Sequence, residues 1–257
     1  MNTLIRTELR KLFTTKLWWG MLAGSLAFTT LGVVATILGA GNDQSGIPPL
    51  SAPSTQRQAF GSSGAALIFI LIVGVIGMTT EFRHFTSRPT FLFEPRRGRV
   101  VAAKLVTYAS LGLVYSVLCA ALAVAIILPW LSAKGVDVSL GANGIPRTLI
   151  TTVISVAIFG VVGVGLGVLV RNQIIAVIGG LAYLFVLEPL IRVIPYVKDA
   201  YKFLPGGANA ALTQANAQTG QGSTDLLGTW TGGVVLVCWG LLFAILGTAL
   251  TVRRDIP

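Results

Sequence analysis

Charge is scarce in this sequence. Only 11% of its 257 residues are Asp, Glu, Lys or Arg, where a soluble domain carries about 25%. That deficit, with 54% hydrophobic residues and a mean hydropathy of +0.80, excludes an ordinary soluble globular chain and implies an integral membrane protein. Histidine occurs once, at His84, so no multi-histidine metal site can form. At a predicted surface position His84 also cannot serve as base for an intramembrane serine nucleophile. Cysteine is nearly absent: Cys119 and Cys238 both lie inside apolar runs, which argues against a disulfide framework or a thiolate metal site. There is no G-x-x-x-x-G-K-[ST] phosphate loop and no H-E-x-x-H pair. The chain is therefore not expected to bind ATP through a P-loop, to hold a metal or to act as an intramembrane hydrolase.

Long hydrophobic runs are what the sequence does have. A helix crosses the ~30 Å hydrocarbon core with about 20 apolar residues, and six stretches qualify: 17–38, 63–80, 105–130, 147–170, 174–194 and 230–252. The expected fold is all-α, with a single transmembrane domain of six helices over residues 1–257. A cleavable signal peptide is the rival for the first run, but its apolar region exceeds the 7–15 residues of a signal core. Trp18, Trp19, Trp130 and Trp230 fall at predicted interfaces, as aromatic belts do. Trp239 alone sits at mid-span, where packing or a substrate contact could use it. The 30 glycines suit close helix approach, and Gly20/Gly24 and Gly163/Gly167 have GxxxG spacing.

The net charge of +10 raises the question of nucleic acid, and the positions of the charges answer it. The N-terminus, loop 81–104, Arg171, Arg253 and Arg254 hold thirteen basic residues against four acidic ones. The opposite loops hold Arg57, Lys134, Arg147, Lys198 and Lys202 against four aspartates. Such asymmetry is the positive-inside pattern. It predicts cytoplasmic N- and C-termini and no nucleic-acid partner; the expected setting is the lipid bilayer of a bacterial plasma membrane, crossed several times.

Residues 2–16 have helical periodicity. Leu4, Ile5, Leu9, Leu12 and Phe13 share one half of the wheel, and Arg6, Arg10 and Lys11 lie on the other, while Glu8 and Lys16 break the pattern. Residues 1–16 are expected to form a basic amphipathic elbow helix lying in the headgroup region. Inside the spans ionisable groups are confined to Glu188 and Arg192, in LEPLIRVIP. Their spacing of four places them on one helix face as a neutralising pair, and Pro189 and Pro195 put that face near the outer end of the span. A structural pair or an outer gate are the two readings; the dearth of other buried charge disfavours a proton-coupled carrier.

The one long charged stretch is EFRHFTSRPTFLFEPRRGRVVAAK, residues 81–104. Its arginines suit lipid headgroups, but that alone gives no reason for Phe85, Phe91, Leu92 and Phe93 at mid-loop. Apolar anchors ringed by arginine suit a protein partner. Glu81, Phe82, Arg83, His84, Thr86, Pro95, Arg96, Arg97, Arg99 and Lys104 carry a resemblance to the ABC type-2 permease family. In that family a coupling helix is followed by a Pro-Arg-Arg-type turn and a lysine-containing entry to the third span. The end of the fifth span, LEPLIRVIPYVKDAYKFLP (187–205), is similar to the family's short external helices before the sixth span, and 195–229 is expected to be an external loop.

The resemblance implies a non-catalytic permease subunit that pairs with a separate cytosolic ABC ATPase, which holds the ATP and Mg, and with a second permease copy, identical or different. Coupling would run through Arg83, His84, Phe85, Thr86, Arg88, Phe91, Leu92, Arg96, Arg97 and Arg99, assisted by the elbow helix. The implied activity is export of a drug, lipid, peptide or glycan. The competing class is a polytopic anchor or assembly protein that moves nothing and uses the same loop to hold a cytosolic partner.

Overall fold

A computed structural model describes residues 2–42, 45–83, 97–194, 198–215 and 226–253. All regular structure among these residues is helical. The chain begins with α1 (Asn2–Thr14), breaks at Thr15, and continues as α2 (Leu17–Gly39). The hydroxyls of Thr14 and Thr15 donate to the carbonyls of Lys11 and Leu12, closing the last turn of α1. Then follow α3 (Pro53–Gly61), a 3-10 turn (Ser62–Ala65) and α4 (Ala66–Arg83). The second half of the chain contains α5 (Arg97–Ala133), α6 (Ile145–Val170) and α7 (Gln173–Ala182). A π-helical turn (Tyr183–Leu187) leads into α8 (Glu188–Val193), and a 3-10 turn (Lys198–Phe203) into α9 (Pro205–Thr213). The last element is α10 (Thr229–Arg253).

Six stretches are long and apolar enough to cross a membrane: Leu17–Gly39, Pro53–Glu81, Gly98–Ala133, Ile145–Val170, Gln173–Arg192 and Thr229–Leu250. All six expected runs are present, but two boundaries move and one connection changes. The second begins at Pro53, inside the stretch read as a loop, because the polar α3 continues through the 3-10 turn into α4 without a break. The third begins inside the expected 81–104 loop: α5 is 37 residues long, which at 1.5 Å per residue is about 55 Å and exceeds a bilayer core. The loop thereby narrows to 84–96, outside the described residues. The third difference is α9, whose Pro205, Gly207, Ala208, Ala211 and Leu212 are buried, so part of the expected external loop folds back into the bundle.

Helix directions follow from the contacts. Trp18 lies level with Tyr115 and Ser25 with Cys119, so α2 and α5 run the same way. Gly24 faces Phe69 and Gly32 faces Ser62, which sets α4 opposite to α2. Along α6, Gly163 abuts Leu71 and Gly167 abuts Val75 and Met78, so α6 is parallel to α4; α10, with Gly240 beside Val162 and Gly247 beside Val168, is parallel to α6. The start of the first span and the end of the sixth therefore share one end of the bundle.

α6 is the central post. It is packed by α4, α5 and α10, and Val156, Phe159, Val164 and Val168 are almost fully enclosed. Close approach depends on its glycines. Gly160 faces the carbonyl of Tyr108, Gly163 that of Leu71, and a Cβ at Gly165 would stand 2.6 Å from the Gly240 oxygen. The Gly163/Gly167 pair is thus consumed inside the chain. Apolar side chains such as Phe28, Leu31, Val114, Val117, Ile174, Ile178 and Leu241 are left outward, as helices long and apolar enough to cross a membrane would have them.

The glycine seams make a direct prediction. Gly163→Leu forces backbone apart at α4 and should lower stability by about 1–3 kcal/mol, as overpacking does. Gly179→Leu, at a position with nothing within 4 Å of an added Cβ, should leave it almost unchanged. Unfolding of the two variants in detergent, followed by circular dichroism, distinguishes a packed seam from a loose one.

Candidate functional site

Two buried carboxylate centres stand out. The first joins the N-terminal helix to the bundle. Glu8, on the inward face of α1 with Leu12, is only 6% exposed, and Lys104, in the second turn of α5, is 1% exposed. The Lys104 ammonium donates to Glu8 Oε2 at 2.5 Å, to Glu81 Oε1 at 2.9 Å and to the Gly77 carbonyl at 3.2 Å. Its three protons are thereby all used. Lys11, 45% exposed at the rim, donates to Glu8 Oε1 at 3.0 Å and Glu81 Oε1 at 2.8 Å. Two carboxylates and two ammoniums close a neutral cluster of α1, α4 and α5.

The electrostatics favour this set only as a whole. Burying an ion costs several kcal/mol, and its partners offset that cost only when geometry and hydrogen bonds are complete. At the rim, burial alone would lower the pKa of Lys11. The hydrogen bond and charge of Glu81, followed by those of Glu8, outweigh burial and hold it above the ordinary value of 10.5. A raised folded pKa means the contribution of Lys11 is present in full below the unfolded value and fades as pH rises through the folded one.

The second centre caps α9. Glu188, 2% exposed, accepts from the Gly206 amide at 2.8 Å, with the Gly207 amide and the Tyr183 side chain close by. Gly206 and Gly207 stand in the first turn of α9, so the carboxylate meets the free amides and positive dipole end of that helix. The guanidinium of Arg192 lies over the Tyr201 ring, 5.9 Å from its centroid. The i, i+4 spacing expected Glu188 and Arg192 to act as a pair; the hydrogen bond described for Glu188 goes to the Gly206 amide, across a separation of eighteen residues. The indole of Trp239 donates to the Phe203 carbonyl at 2.7 Å and its ring packs on Phe243 at 5.3 Å, a packing role.

Of the residues expected to couple to a partner, Arg6 and Arg10 are exposed on α1, and Lys11 belongs to the ion cluster. Arg99 is exposed in the first turn of α5. Arg83 ends α4 and Arg97 begins α5; their side chains, with His84, Phe85, Thr86, Arg88, Phe91, Leu92 and Arg96, lie outside the described residues. Sequence reading missed the cluster itself: Glu8 looked like a fault in an amphipathic wheel and Lys104 like one more loop charge. The available signal was an acidic residue on an apolar helix face together with a lysine flush against an apolar run. Among the described residues no three His, Cys, Asp or Glu side chains gather to hold a metal ion. No family model matches the chain, and no curated protein matches it.

Two outcomes test the cluster. Lys104→Met leaves two buried carboxylates with one half-exposed lysine and should cost about 3–5 kcal/mol, as breaking a buried pair does; Glu8→Gln combined with Lys104→Met should recover part of that loss in a double-mutant cycle. Unfolding resistance should also fall as pH rises above about 10.5, and less so in Lys11→Met, measured by thermal melts across alkaline pH.

Proposed function

We propose that the chain is the permease subunit of an ATP-binding-cassette exporter. It is driven by a separate cytosolic ATPase that carries ATP and Mg, and it works beside a second permease copy. One observation carries the reading: the roots of the 84–96 segment are bonded to the same N-terminal helix. Glu81 lies just before the segment and Lys104 in the second turn after it, and both reach Glu8 or Lys11 of α1. A push on the segment would therefore move α1, α4 and α5 as a unit, and α6, with its glycine seams to α4 and α5, would receive it next.

In this reading the end of the bundle that holds α1 and the close of α10 faces the cytoplasm of a bacterial cell. Phe85, Phe91 and Leu92 enter the ATPase, and the arginines from Arg83 to Arg99 meet its acidic rim. The cargo is apolar or amphiphilic, a drug, lipid, peptide or glycan, since the spans offer hydroxyls and small residues rather than a charged channel. The second reading, a polytopic anchor that moves nothing, shares the docking loop and differs in what ATP does.

Co-purification with an ABC ATPase encoded beside the chain separates them. The exporter reading expects a complex whose ATP turnover rises on assembly in lipid. In that complex Phe91→Ala with Arg96→Ala and Arg97→Ala should weaken binding at least tenfold, the scale of a hot-spot loss. A complex with unaltered turnover supports the anchor, and no complex at all removes the exporter reading.

A further inference from the structure

Glu8 and Leu12 turn one side of α1 toward the bundle, and the opposite side is left open. Arg6 and Arg10 are exposed there, four residues apart and therefore on one helix face. Lys16 is exposed at the start of α2. Among the described residues none of these three cations meets a carboxylate, because Glu8 and Glu81 are taken up by Lys11 and Lys104. The ion cluster is neutral, so the whole positive charge of this open side stands uncompensated.

Between the inward and outward sides of α1 runs an apolar edge. Ile5 and Leu9 are half-buried along it, and Phe13, one turn further, is 53% exposed. Phe13 meets Trp18 edge-on with ring centroids 5.0 Å apart, and Trp18 lies 4.9 Å from Trp19, which is 62% exposed. The aromatic row thus carries the edge of α1 into the first residues of a helix long and apolar enough to cross a membrane. Tryptophans at such a position stand at headgroup depth. An occupant must bring negative charge to Arg6, Arg10 and Lys16 and an apolar body to Phe13 and Trp19. An acidic protein brings the charge, but it would also have to cover aromatic side chains that adjoin a span.

We propose that the outer side of α1 and its junction with α2 bind an anionic phospholipid. Its phosphate sits between the guanidinium groups of Arg6 and Arg10, and its acyl chain lies along Phe13 and Trp19. Arginine suits this role because its planar donors can engage two phosphate oxygens at once. In a zwitterionic phospholipid a quaternary ammonium already offsets the phosphate, so the basic row stays uncompensated. The inference stands apart from the transporter reading, since it uses only α1 and the start of α2, and its test needs no ATPase.

The probe is phosphatidylglycerol with a diazirine on its acyl chain, diluted into phosphatidylcholine nanodiscs that hold the purified full-length chain. After photolysis the labelled peptides are mapped by mass spectrometry. Labelling is expected on α1 and the first turns of α2, and unlabelled phosphatidylglycerol should compete while added phosphatidylcholine does not. Each basic residue at an anionic surface strengthens binding about fivefold, so Arg6→Gln with Arg10→Gln should lower labelling about tenfold or more. Arg6→Lys with Arg10→Lys should keep most of it. The glutamine pair should melt like the parent in phosphatidylcholine alone, and phosphatidylglycerol should raise the melting temperature of the parent more than that of the pair. Should the glutamine pair not fold, Lys16→Gln is expected to lower labelling about fivefold. Equal labelling by a phosphatidylcholine probe, labelling confined to other helices, or labelling unchanged in the glutamine variants would each overturn the lipid site and leave the basic row to an acidic protein.

Discussion

A lysine that is 1% exposed beside an apolar span cannot be held by that span alone. Lys104 needs carboxylates, and the two that reach it come from different parts of the chain: Glu81 from the end of α4 and Glu8 from a helix that precedes the first span. The desolvation cost of each ion is met only by the others, so α1, α4 and α5 form this corner together or not at all. That requirement places the N-terminal helix. Its apolar face could rest on any membrane surface, whereas Glu8 and Lys11 fit only where Lys104 and Glu81 present their complements.

The corner is joined to the rest through α6. Its glycines bring it close enough to the carbonyls of Tyr108, Leu71 and Gly240 that a side chain would collide. Van der Waals packing at such seams is the main attraction between helices in lipid, where the hydrophobic effect contributes little. It is also unforgiving, because a helix seated against backbone has no flexible side chain to yield. A displacement of α4 or α5 is consequently felt by α6, and from there by α10. The fifth span is different. Ile174, Ile178, Phe185 and Leu190 are exposed, and its helix is interrupted by the π-helical turn before Glu188, a feature often found where helices serve a function.

Hydropathy made the six spans legible because each is a long run of residues that water rejects. Their ends were harder. The helix at Pro53–Gly61 is built from Ser, Thr, Gln and Arg, and its composition is that of a loop; it is helical because Thr55, Gln56, Ala59 and Phe60 are buried and satisfied. α5 begins at Arg97 among arginines, where a count of apolar residues has nothing to register. The charged centres were less legible still. Periodicity relates neighbours on one helix, so it could offer Arg192 to Glu188 but not the amides of Gly206 and Gly207. Nor could it offer Lys104 to Glu8, which lies 96 residues away.

These two centres solve one problem in different ways. At Glu188 the carboxylate is met by the Gly206 amide at the start of α9, a group with no net charge whose position is fixed by a short helix. At Glu81 and Glu8 it is met by the ammonium groups of Lys11 and Lys104. A carboxylate on a fixed amide ties one side chain to the start of one helix. A cluster of four ions is stable only when every member is present, so it ties three helices at once. The two kinds of bond therefore fasten two separate corners: α9 against the end of the fifth span, and α1 against the roots of the 84–96 segment.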